Sequence, residues 1–116
     1  MKKTLIGKQG EVKIYKVDAL PAGMKTRPVE KLGARWIISH SESGHHHLLT
    51  GGDVMEREDN VPAGMKILYA ILDNPEQLTQ DAQVPHEGFD LPSGYYEFRL
   101  ARAYNHFLEQ ARQAID

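Results

Sequence analysis

Ala34-Arg35-Trp36-Ile37-Ile38-Ser39-His40-Ser41-Glu42-Ser43-Gly44-His45-His46-His47-Leu48-Leu49-Thr50 is the stretch on which the fold turns. Its two arms, 34–40 and 45–50, are rich in strand-forming side chains, and Ser43-Gly44 suits a two-residue hairpin turn. With that turn, Glu42 stands opposite His45 and His40 opposite His47. Alternation along the strands then places His40, Glu42, His45 and His47 on one face and His46 on the other. Four of the chain's six histidines fall in these eight residues, His40 to His47.

Working outward, three related turns punctuate the chain: Leu20-Pro21-Ala22-Gly23, Val61-Pro62-Ala63-Gly64 and Leu91-Pro92-Ser93-Gly94. Proline early and glycine late favour a tight reversal. The first two copies both continue as Met-Lys, but their flanks share little else, so common turn chemistry explains them better than duplication. Between the turns lie segments of strand character at 11–17, 54–57, 66–72 and 95–100. Asn74-Pro75-Glu76-Gln77-Leu78 has the pattern of a capped helical turn with proline in its first position. Asn105 is placed to cap a C-terminal helix from His106 to Ile115, with Phe107, Ala111 and Ile115 along one side. The expectation is a single mainly-β domain over residues 1–116, a small β-barrel or β-sandwich with a short C-terminal helix.

Composition narrows the class. The 116 residues are 41% hydrophobic and 26% charged, ordinary for a globular chain able to bury a modest core. A formal net charge of −2 argues against a general nucleic-acid binder, although Lys2, Lys3 and Lys8, and Lys25, Arg27, Lys31 and Arg35, form local basic groups. The chain has no cysteine, which excludes disulfides, thiolate metal sites and a thiol nucleophile. The start Met1-Lys2-Lys3-Thr4-Leu5-Ile6-Gly7 is too polar for a signal-peptide core, and no apolar run approaches the roughly 20 residues of a membrane helix. A cytoplasmic protein with no membrane association is expected.

Several segments together suggest a relationship. They are Lys8-Gln9-Gly10-Glu11-Val12, Pro21-Ala22-Gly23, the run His40 to His47, Leu91-Pro92-Ser93-Gly94-Tyr95-Tyr96, Arg102-Ala103-Tyr104, and the closing Arg112 and Asp116. In this order the chain resembles an uncharacterised bacterial and phage family of small proteins. Its members carry a R-Q-G-D-V-like strand, a P-A-G turn, a central H-G-E-x-T-G-H-x-H motif, and L-P-x-G-x-Y followed by R-E-Y. The resemblance spans nearly the whole chain and implies no established activity. Three departures stand out. The central turn is one residue shorter, Gln83-Val84-Pro85-His86 keeps only the last histidine of a frequent H-E-E-H, and Ala103 replaces the glutamate of R-E-Y.

The chemistry open to these residues falls into three classes. His40, His45 and His47, with Glu42 as a further ligand and His86 from a later segment, are suited to zinc, manganese, iron or nickel. Alternatively the histidines with Arg35, Arg99, Arg102 and Tyr104 surround an anionic small molecule of phosphate or nucleotide type. In a phage or mobile-element protein, this would amount to sequestering a signalling nucleotide. A metal-dependent hydrolase with Glu42 as general base is the enzymatic alternative. Ser41 and Ser43 lack any sign of an oxyanion site or a nucleophile elbow. In the structural alternative the histidines only hydrogen-bond among themselves or line a contact between copies of the chain. Trp36 reads as a core anchor, and 53–59 as a solvated acidic segment.

Overall fold

The computed structural model describes residues 2–40, 46–80 and 88–101. They form eleven strands: β1 (Lys3–Gln9), β2 (Val12–Val17), β3 (Thr26–Pro28), β4 (Lys31–Leu32), β5 (Arg35–Ser39), β6 (His47–Leu49), β7 (Asp53–Arg57), β8 (Met65–Leu72), β9 (Glu76–Gln80), β10 (Phe89–Leu91) and β11 (Gly94–Ala101). Two antiparallel sheets result, ordered β1-β2-β11-β8-β7-β3 (the first sheet) and β10-β9-β6-β5-β4 (the second). Neither order closes on itself, so the barrel expected as one alternative does not form among the described residues. The chain is mainly β, and the proposed helix at 106–115 lies outside the described residues.

Alternation explains why the two sheets share one core. On β2, Val12 and Ile14 point inward, and on β11 Tyr96, Phe98 and Leu100 do the same. Register aligns them, with Ile14 opposite Phe98 and Phe98 opposite Leu68 of β8. The second sheet contributes Ile38, Leu49, Leu78 and Leu91 to the same cluster. These side chains are essentially inaccessible to water, and apolar burial of this kind is the main favourable term in folding. Trp36 packs against the cluster as its anchor reading required, and its indole N–H donates to the Gly52 carbonyl at 2.9 Å.

Two local outcomes differ from the sequence reading and one agrees with it. Asn74 to Leu78 is not a helical turn: Glu76–Gln80 is strand β9, held between β6 and β10. Pairing on both sides satisfies more backbone groups than one isolated turn, so tertiary context overrides the capping pattern. Strand β1, not anticipated, pairs with β2 through a bulge at Ile6. The Pro-Ala-Gly turns behave as expected at Gly23 and Gly64, whose φ values of 69° and 77° are left-handed. None of the described residues belongs to a helix long and apolar enough to cross a membrane.

Candidate functional site

The β5–β6 hairpin forms, but its register is not the one alternation alone suggests. Trp36 pairs with Leu49 and Ile37 with Leu48, after which Ser39, not His40, pairs with His47. Ile38 is therefore the extra residue of a β-bulge, which shifts every later residue of β5 to the other face. Ser39 and His47 consequently share one side and His40 goes to the other. His40 is half exposed and sits beside Glu30, Nε2 to Oε2 3.5 Å, with the His46 ring edge-on to it at 5.1 Å. His47 is buried, 2% exposed. The single histidine face is thus divided: His40 with His46, His47 with Ser39.

His47 points into the end of the space between the sheets, on the same side of β6 as the core residue Leu49. The turn between β1 and β2 reaches across to it. Gln9 presents Oε1 to His47 Nδ1 at 2.8 Å, while its own amide nitrogen donates to the Leu78 carbonyl at 2.9 Å. The Leu78 bond fixes which end of the Gln9 amide faces the ring. Oε1 accepts, so Nδ1 carries the hydrogen. Nε2 then faces Glu11 Oε2 at 3.4 Å. The other oxygen of Glu11, Oε1, accepts from the Ser39 hydroxyl at 2.7 Å.

Electrostatics sharpen this geometry. Burial pushes the His47 pKa down, the Glu11 carboxylate pulls it back only in part, and it stays below the usual 6.5. Partial burial raises Glu11, but hydrogen bonds from Ser39 and from its own backbone, with the field of His47, outweigh it and hold it below 4.5. With His47 held below 6.5 and Glu11 below 4.5, the Nε2 of an imidazole disposed to be neutral at neutral pH lies 3.4 Å from an ionised carboxylate oxygen. A cation or a proton between them is what makes the pair favourable. Ser39 donates to the carboxylate and does not meet the imidazole, so the group is not a serine nucleophile with its base.

Gly10 is part of the same design. It has φ +56°, and a Cβ there would stand 3.1 Å from Cε1 and Nε2 of His47. Gly10→Ala is expected to destabilise the protein by about 1–2 kcal/mol through the left-handed backbone, and to displace the ring as well. Urea denaturation measures the first effect, and the His47 ring proton shifts report the second.

The other anticipated residues scatter. Arg99 alternates with the core residues Phe98 and Leu100 and so faces away from the core, where its Nε donates to Glu97 at 2.6 Å. Arg35 precedes Trp36 and lies on the opposite face of β5 from that core-packed ring. Neither joins His47. Glu42, His45, His86, Arg102 and Tyr104 lie outside the described residues. Among the described residues, no group of three or more His, Asp or Glu side chains converges as a metal cluster. Sequence reasoning missed Gln9, Glu11 and Ser39, although Gln9-Gly10-Glu11 sits within the opening segment that carries the family resemblance.

No curated protein and no solved structure matches the chain. A family model described as a domain of unknown function, DUF8820, matches residues 8–101, from just before Gln9 to the end of β11. That span takes in Gln9, Gly10, Glu11, Ser39 and His47 together, and the chain belongs to the DUF8820 family.

Proposed function

We propose that the protein binds a divalent metal ion, zinc by preference, with His47 Nε2 and Glu11 Oε2 as two of the ligands. The observation that carries this reading is the 3.4 Å separation of those two atoms. Zinc bonds of about 2.0–2.1 Å to nitrogen and about 2.0–2.2 Å to oxygen give a tetrahedral ligand–ligand edge of about 3.3–3.5 Å. An octahedral edge at such bond lengths is nearer ~3.0 Å, which favours zinc over the six-coordinate ions. The surroundings fit as well. A metal-bound histidine usually donates its other N–H to a fixed acceptor, the role of Gln9, and a ligating carboxylate is usually hydrogen-bonded, the role of Ser39. Two ligands leave positions for water or a small ligand, and the β5–β6 connection carries Glu42 and His45 in its sequence.

An anionic ligand at the same point has less support. The Glu11 carboxylate would oppose it, and Arg99 is committed to Glu97 on another face. Elemental analysis of untagged protein after exhaustive dialysis, with calorimetric titration of zinc, tests the proposal. Near-stoichiometric zinc is expected in the wild type and none in His47→Ala. Gln9→Ala should keep the site but weaken it about 10–100-fold. Zinc retained in full by His47→Ala, or no uptake by the wild type, overturns the assignment. A Glu11→Gln variant that folds normally and still loses zinc separates ligand loss from misfolding.

A further inference from the structure

The outward face of the first sheet, away from the shared core, gathers residues that are scattered in sequence. Register places Lys8 directly opposite Lys13, and Lys13 directly opposite Arg99. One row on, Leu5 stands opposite Tyr15. A further row brings Lys3 opposite Val17 and Val17 opposite Tyr95. Tyr15 and Tyr95 are thus diagonal neighbours on adjacent strands, within reach of each other. Leu5 is 57% and Tyr95 40% exposed, and Lys8 and Lys13 are exposed too. Lys3 Nζ lies 4.9 Å from the Tyr15 ring centroid.

Like charges directly across a strand pair destabilise it, so Lys8 opposite Lys13 is a cost that folding alone does not explain. The charge is also segregated. Of the five lysines in residues 2–17, register places Lys3, Lys8 and Lys13 on this face, in a chain of formal net charge −2. Glu97, which stands on this face between Tyr15 and Tyr69, is fully buried and already paired with Arg99 and Lys3, and so offers no exposed counter-charge. Val17 and Glu97 in the middle of this face are buried, but its exposed margin, where Leu5 and Tyr95 stand with Lys8 and Lys13, offers what single-stranded nucleic acids need: phosphate contacts from the cations and aromatic surface on which bases stack. A folded acidic protein would use the charge but gain less from two adjacent ring faces.

We propose that this face binds single-stranded nucleic acid, with Lys8 and Lys13 contacting phosphates and Tyr15 and Tyr95 stacking on bases. The surface is separate from the His47–Glu11 site and does not depend on metal binding there. Fluorescence anisotropy with a labelled oligothymidine and a labelled oligouridine of about a dozen nucleotides tests it, heparin serving as the polyanion without bases. Binding is expected to weaken about tenfold between 50 and 200 mM salt. Lys8→Gln with Lys13→Gln should flatten the salt slope by about 1.4. Tyr95→Ala should weaken oligonucleotide binding about tenfold and leave heparin binding unchanged. Tyr95 is exposed, so this variant folds as the wild type does, which circular dichroism checks. No binding at 50 mM salt, or equal binding of oligonucleotide and heparin that ignores Tyr95→Ala, overturns the proposal, the second outcome marking a general polyanion or acidic-protein surface.

Discussion

Glu97→Ala is expected to destabilise the protein by about 3 kcal/mol, a large fraction of a small domain's total stability. Glu97 is fully buried, and one of its oxygens accepts from the Tyr69 hydroxyl at 2.6 Å. The other meets Arg99 Nε at 2.6 Å and Lys3 Nζ at 3.3 Å. Removing the carboxylate leaves the hydroxyl of Tyr69, a residue only 1% exposed, without this partner, and opens a small cavity. Arg99 and Lys3 keep partial access to water, which limits the loss to below that of a fully buried ion pair.

The same network gives a pH signature. Burial raises the Glu97 pKa, but hydrogen bonds from Tyr69 and Arg99 and the fields of Arg99 and Lys3 outweigh this and hold it below 4.5. A depressed folded pKa means that the stabilisation is complete above the unfolded value and is lost as pH falls through the folded one. The stability gap between wild type and Glu97→Gln should therefore be constant at neutral pH and narrow as pH drops below 4.5. Tyr69, by burial and by its bond to Glu97, is pushed up to about 12, so its contribution is present below pH 10 and declines above it. Urea midpoints across pH measure both limbs. A gap that is unchanged at pH 3.5 would show that Glu97 is not held ionised by its neighbours.

Phe98→Ala should cost about 3–5 kcal/mol. Phe98 has no exposed surface, lies between Ile14 and Leu68 in the first sheet, and belongs to the cluster that also holds Ile38, Leu49 and Leu78 of the second. Its ring is part of what the two sheets share, so the loss should appear as one cooperative transition at a lower midpoint, not as melting of one sheet first. Circular dichroism and tryptophan fluorescence should move together, because Trp36 is on the second sheet while Phe98 is on the first. Separate transitions, or a cost under about 1.5 kcal/mol, would contradict a common core.

What the sequence revealed, and where it fell silent, follows from the range of the forces involved. Strands such as Val12–Val17 and Gly94–Ala101 announce themselves because inward and outward residues alternate within a few positions. β1 does not: Leu5 and Ile6 are adjacent, and the bulge at Ile6 breaks the period, so no alternation is there to read. The bulge at Ile38 hides in the same way behind two consecutive isoleucines, and it alone reverses which histidines face each other. Gln9 and Glu11 sit almost forty positions from His47, and only the packing of the first sheet on the second brings them to it. The opening Gln9-Gly10-Glu11 segment carried a signal, but periodicity cannot say what a turn touches.

The outermost strands of the two sheets share a property that bears on how the chain behaves at high concentration. Each of the four is spoiled as a template: β1 by its bulge, β3 by Pro28, β4 and β10 by lengths of two and three residues. A bare, regular edge invites another chain to add its own strand and then another, the open-ended stacking that leads to fibrils. Here such propagation is blocked at every described margin, so association between copies would have to proceed through side-chain surfaces.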